Sequence, residues 1–198
     1  MSASGRRGRV ERNTAETRIT LGLALDGTGR LSGGSSLGFF DHMLAAWCRH
    51  GSFDLELDCT GDLHVDQHHT VEDVGICLGQ ALAAALGDKA GTCRFGHAYV
   101  PMDEALARAV VDLSGRGHLV FEAQFREGWV GDFPVSLVRE FYVALAHNAR
   151  LTLHLDLLRG VNDHHCVEAL FKACARALEM AASRGGGAAD VPSTKGVL

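Results

Sequence analysis

Residues 66–86 read DQHHTVEDVGICLGQALAAAL, and residues 162–182 read NDHHCVEALFKACARALEMAA. The two stretches align without a gap and match at His68/His164, His69/His165, Val71/Val167, Glu72/Glu168, Ala81/Ala177 and Leu82/Leu178. Two amphipathic helices would share alanines and leucines by chance. They would not share a His-His-x-x-Glu cluster at the same place. The chain is therefore read as an internal duplication, each copy owning about half of the 198 residues.

The flanking segments repeat in the same order. Ile19 to Leu25 has strand character, and Gly27 to Gly29 marks a turn after it. Phe39 to His50 fits a helix, with Phe40, Met43, Leu44 and Trp47 on one face. Phe53 to Asp58 alternates as a strand, and a helix runs from about Val71 to Leu86, ended by Gly87. In the second half, Leu106–Leu113 and His118–Phe125 read as strands, Val135–Asn148 as a helix and Leu151–Leu157 as an alternating strand. The last helix spans His164 to Ser183 and stops at Gly185, Gly186 and Gly187. The expected fold class is α+β: two similar halves, each a β-sheet backed by helices, packed as one compact unit. Residues 1–10 are expected to be a mobile N-terminus, 11–93 and 94–184 the two repeats, and 185–198 a Gly-rich hinge and closing tail.

Composition narrows the function classes. A net charge of −5 gives no broad basic footprint for nucleic acid. No apolar run approaches the roughly 18 residues of a membrane helix. The basic N-terminus lacks an apolar segment after it, so a secretory signal is not expected and the chain is read as cytoplasmic. Cys48, Cys59, Cys77, Cys93, Cys166 and Cys174 form no C-x-x-C pair or disulfide framework, and are read as small buried residues. The eleven histidines are unusual, and their clustering gives the number meaning.

In a helix, positions i and i+4 share a face while neighbours diverge by about 100°. His68 and Glu72 can grip one ion, and His164 and Glu168 another. If the two motifs meet, His165 completes the first site and His69 the second. His42, on the helix face away from Phe40 and Trp47, and His154, on the polar side of its strand, are placed to fill the shells. Imidazoles with one carboxylate per ion suit a borderline divalent metal such as Mn, Fe, Co or Zn. A single His-His pair would more often cap or solvate a helix N-terminus; two, each followed by Glu, point to metal. His50, His97, His118 and His147 lack such partners and are read as structural.

Further segments carry a resemblance to a known family: ArgAsnThrAlaGluThr (12–17), GlyPhePheAspHisMetLeu (38–44), the motif regions 61–76 and 162–178, ArgPheGly (94–96), ProMetAspGluAlaLeu (101–106), SerGlyArg (114–116) and ProSerThrLysGlyValLeu (192–198). Together they resemble the imidazoleglycerol-phosphate dehydratases over nearly the whole chain, in the form without a fused second enzyme. The resemblance implies two Mn²⁺ per active site. One is held by His42, His69, His164 and Glu168, the other by His68, Glu72, His154 and His165. It also implies a homo-oligomer of 24 subunits with sites at their interfaces.

The implied reaction removes water from imidazoleglycerol phosphate to give imidazole-acetol phosphate in histidine biosynthesis, through a substrate ring held as imidazolate between two cations. Glu72 and Glu168 serve this as ligands, and Glu16 is the candidate acid/base. Arg94, Arg116, Ser193 and Lys195 are the expected phosphate contacts, guanidinium forks and an ammonium suiting a dianion. Ala46 departs from the glutamine that the family often has there, which puts one substrate contact in question. Two other readings compete: a binuclear hydrolase, which bridging aspartates would favour, and a metal-storage protein, which would need neither the arginines nor the SerThrLys tail.

Overall fold

Alternating apolar and polar side chains set two four-stranded sheets, and the stripes of four helices bury themselves between them. The computed structural model describes residues 5–185, 190–196 and 198. The first half runs β1 (Arg7–Asn13), β2 (Thr17–Ala24), β3 (Leu31–Gly34), α1 (Gly38–Gly51), β4 (Asp54–Gly61) and α2 (His68–Leu86). The second runs β5 (Phe95–Met102), β6 (Ala105–Asp112), β7 (His118–Glu122), a short β8 (Trp129–Val130) and β9 (Phe133–Pro134), α3 (Leu137–Ala149), β10 (Thr152–Arg159) and α4 (Asp163–Ala182).

The sheets have one topology, β1-β2-β4-β3 and β5-β6-β10-β7, antiparallel except for the parallel pairs β3–β4 and β7–β10. The duplication thus covers both main sheets and all four helices, and only the short β8–β9 pair has no counterpart in the first half. Ile19, Leu21, Leu23, Leu55 and Leu57 line the inner face of the first sheet, and Ala105, Ala107, Ala109, Val111, Leu153 and Leu155 that of the second. Helix α2 packs on β1 and β2, and α4 on β5 and β6. Across the halves, α1 packs on α4 and α2 on α3. Each apolar helix is therefore covered on both sides, and burying each large aliphatic side chain contributes roughly 1.5–3 kcal/mol.

Two glycines show how tightly helix and sheet approach. A Cβ at Gly8 would collide with the carbonyl oxygen of Ala81, and one at Gly96 with that of Ala177. Gly22 has no atom nearer than 3.6 Å to such a Cβ. Gly96→Ala is expected to lower stability by about 1–3 kcal/mol, and Gly22→Ala by no more than about 0.5 kcal/mol. Thermal denaturation of both variants checks the contrast.

Several expectations are corrected. Residues 7–10, read as part of a mobile N-terminus, form most of β1, with Gly8 buried against α2 and Val10 half-buried. Strand β5 went unread because Gly96 and Pro101 argue against a strand and Phe95 and Tyr99 face outward. Both residues suit an edge strand, where one flank carries no ladder. The strand from His118 stops at Glu122, since residues 126–128 are drawn to α4, where Asp163 accepts from the backbone N–H groups of Arg126, Glu127 and Gly128. Gly186 and Gly187 of the expected hinge, like residues 1–4, lie outside the described residues. All six cysteines are free, and Cys93 alone is exposed. No helix among the described residues is long and apolar enough to cross a membrane.

Candidate metal centre

Helix α4 starts on a built N-cap. Asn162 accepts from the backbone N–H groups of His164 and His165, satisfying donors that the helix leaves without partners. At α2, Asp66 accepts from the N–H of His68 at 2.8 Å. Both His-His-x-x-Glu motifs therefore occupy a first helical turn, where the i, i+4 pairs form as spacing requires. His68 Nε2 lies 3.7 Å from Glu72, and His164 Nε2 lies 3.2 Å from Glu168.

The packing of α1 on α4 adds His42, whose Nε2 is 3.5 Å from Glu168. His42, His164 and Glu168 offer ligand atoms all within 4.8 Å of one another, the one such group among the described residues. Phe39 lies edge-on to His164 at 5.1 Å and is itself wedged by Phe133, 5.4 Å away. Glu168 is 7% exposed, and Lys172 Nζ lies 2.6 Å from its other oxygen. Burial pulls that carboxyl upward, but Lys172 and the two histidines outweigh it and hold it below its ordinary value. An anionic carboxylate beside two imidazoles fits a divalent cation of the borderline class.

The second histidine of each motif is engaged elsewhere. His69 directs Nδ1 to Asp62 at 3.0 Å, with Glu16 at 3.7 Å from its Nε2. His165 directs Nδ1 to Glu104 at 2.8 Å, with Asp103 at 3.7 Å from Nε2. A carboxylate on Nδ1 holds the tautomer whose Nε2 lone pair is free for a metal. Within one chain His165 does not join His68 and Glu72, and His69 does not join His164 and Glu168. His154 stands on the outer face of the second sheet, in register with Val110 and Val120, while Leu153 and Leu155 face the helices. It is exposed and on the far side of the sheet from both motifs.

Arg94 donates to Asp112 at 2.8 Å and to the carbonyl oxygen of Pro192 at 2.8 Å. Arg116 lies in a turn held by Ser114, and a side chain at the neighbouring Gly115 would strike Leu198. The C-terminal tail therefore runs past both arginines, bringing Ser193 and Lys195, whose N–H donates to Ser193 Oγ, into the same region. Ala46 and Lys172 each lie one helical turn beyond the His42, His164 and Glu168 group. Sequence reasoning missed Asp62, Glu104 and Lys172. Only Lys172 carried a local signal, its i+4 spacing from Glu168.

These pairs have a pH signature. The hydrogen bond to Glu104 raises His165, and that to Asp62 raises His69. Glu104 is lowered to about 2, first by the N–H of Asn162 and then by His165. A raised histidine contributes stability that is complete below the ordinary imidazole value and is lost as pH rises through its folded value. A lowered carboxylate contributes stability above its ordinary value that is lost as pH falls toward 2. The Glu104–His165 contribution to the metal-free protein is thus largest between about pH 4.5 and 6.5. In melts with chelator, wild type minus Glu104→Gln should peak in that window and shrink on both sides.

A family model described as imidazoleglycerol-phosphate dehydratase matches residues 35–178. Proteins of that name from Acidithiobacillus ferrooxidans and Salinibacter ruber are each 56% identical, covering 98% and 100% of this chain and 98% of their own. Among solved structures, the imidazoleglycerol-phosphate dehydratase of Staphylococcus aureus superposes with a TM-score of 0.82 at 40% identity, over 90% of this chain and 99% of that one. One from Pyrococcus furiosus, in complex with (S)-C348, gives 0.83 at 36% identity, over 96% and 100%.

Proposed function

The chain belongs to the imidazoleglycerol-phosphate dehydratase family, a group of hydro-lyases of histidine biosynthesis, and from that premise we propose that it dehydrates imidazoleglycerol phosphate with two Mn²⁺ per active site. The observation that carries this reading is the meeting of His42 from α1 with His164 and Glu168 from α4.

His42, His164, Glu168 and a His69 would hold one ion; His68, Glu72, His154 and a His165 would hold the other. The ligands that fail to meet within a chain support a site built from several copies. Motif 66–72 of one copy faces motif 162–168 of another, and His154 reaches in from an outward sheet face. The outer face of that sheet also carries exposed Phe95, Tyr99 and Val110, unusual for a surface left in water. A homo-oligomer results, and the family's 24-subunit assembly is the form proposed for this cytoplasmic enzyme.

When bound, the two ions would supply the Lewis acidity that favours the imidazolate form of the substrate's ring. The protein's own groups do the rest. Glu16 sits in the β1–β2 turn, which is stapled by Thr14 and Thr17 and tied to α2 where Thr17 and Arg12 meet Asp73. Its exposed carboxylate lies beside His69, and in this reading it takes the proton from the carbon that bears hydroxyl. Arg94, Arg116, Ser193 and Lys195 hold the phosphate end, and the tail covers it from water.

The test uses chelator-stripped protein and imidazoleglycerol phosphate, following the enolisable ketone. Product should form only after Mn²⁺ is restored. Metal demonstrably bound without product contradicts the reading and favours a hydrolase or a storage protein.

A further inference from the structure

Strands β1 and β2 begin at Arg7 and Thr17, β5 and β6 at Phe95 and Ala105, so one step of 88 residues relates both hairpins. Gly8 and Gly96 obey the same step, each pressed on the matching helix carbonyl at Ala81 or Ala177. That step carries Glu16, in the first hairpin turn, onto Glu104, in the second. Each turn glutamate meets the second histidine of its own half, but on opposite ring nitrogens. Glu16 lies 3.7 Å from Nε2 of His69, whereas Glu104 lies 2.8 Å from Nδ1 of His165.

The residue next after each half's central strand, β4 or β10, accounts for the difference. After β4 comes Asp62, which takes Nδ1 of His69 at 3.0 Å. After β10 comes Gly160, which has no side chain to offer, and a Cβ there would strike Cys166 Sγ. Glu104 fills the gap. Its Oε2 takes the ring, and its Oε1 accepts from the N–H groups of Val161 and Asn162 at 3.1 and 2.8 Å, docking the entry to α4.

We propose that the two equivalent hairpin glutamates have divided their work: Glu104 is a positioning residue that sets the tautomer and orientation of His165, while Glu16, relieved of that duty by Asp62, is free for proton transfer. This rests on the dehydratase reading for Glu16 and on metal binding at His165.

Glutamine is the informative substitution. In Glu104→Gln the amide oxygen can keep both backbone N–H groups, but its NH₂ then faces Nδ1 and drives the ring proton onto Nε2. Mn²⁺ titration of the assembled enzyme should show one site weakened by about 10–100-fold, with turnover recovered at high Mn²⁺. Glu16→Gln should bind Mn²⁺ as wild type does, and no Mn²⁺ concentration should restore its turnover. Wild-type Mn²⁺ affinity in Glu104→Gln overturns the proposal, whatever its turnover. A wild type that binds no Mn²⁺ overturns the parent reading, and the metal role of Glu104 with it. Should Glu104→Gln fail to assemble, the ¹⁵N shifts of His165 in metal-free wild type decide, read at a pH high enough that the ring is neutral: a proton on Nδ1 upholds the assignment, and one on Nε2 overturns it.

Discussion

Glu168→Gln is expected to lower turnover by on the order of 10³-fold or more, even at saturating Mn²⁺. Glu168 is the buried anionic member of its group, touched by His42 at 3.5 Å and His164 at 3.2 Å. A neutral amide in its place would leave the proposed cation with imidazoles alone and reduce its charge balance. Lewis-acid stabilisation of a developing anion is worth several kcal/mol, and about 4 kcal/mol corresponds to about 10³ in rate. The same change strands Lys172, whose side chain is 15% exposed and whose ammonium lies 2.6 Å from Glu168. Breaking such a pair from one side costs about 3 kcal/mol, so the metal-free variant should also melt earlier. Steady-state kinetics across a Mn²⁺ series, with a melting curve in chelator, checks both parts. Near-normal turnover would remove Glu168 from the centre.

The second large effect is a gain. Glu72→Gln and Glu168→Gln should each be inactive alone, yet regain activity when the two chains are assembled together. The reason is geometric: Glu72 pairs with His68 on α2 and Glu168 with His42 and His164 across α1 and α4, and within one chain these sets do not meet. If each active site takes motif 66–72 from one copy and motif 162–168 from another, a mixed assembly contains sites with both motifs intact. Random pairing in a symmetric oligomer gives about a quarter of the wild-type activity per chain. Purified variants are unfolded together, refolded in equal amounts and assayed. No recovery, with assembly confirmed by sedimentation, would place both motifs of a site on one chain.

Much of this was legible in the sequence, for identifiable reasons. The His-His-x-x-Glu repeat, with its 3.6-residue period, exposed the duplication, the α+β class and the i, i+4 pairs at His68/Glu72 and His164/Glu168. The features that escaped depend on tertiary packing. Nothing local to Phe39–His50 says that α1 packs on the other half's α4, which is why His42 could be placed on an exposed face but not beside Glu168. Asp62 and Glu104 read as ordinary turn acids; only the strand register brings them onto Nδ1 of His69 and His165. Edge strands β1 and β5 hid behind Gly8, Gly96 and Pro101, residues that weigh against strands in the middle of a sheet. Helical spacing pairs His69 and His165 with the opposite motif without saying whether the motifs meet within one chain or between copies, and helix α4 of each chain is committed to β5, β6 and α1.

The most direct test of the account is a Mn²⁺ titration of the stripped wild-type chain, with bound metal and dehydration of imidazoleglycerol phosphate read on the same samples. Two ions per chain, with turnover absent before metal and rising as both sites fill, is the result expected of paired His-His-x-x-Glu sites. Turnover in the metal-free protein, or saturation at one ion per chain, would contradict it.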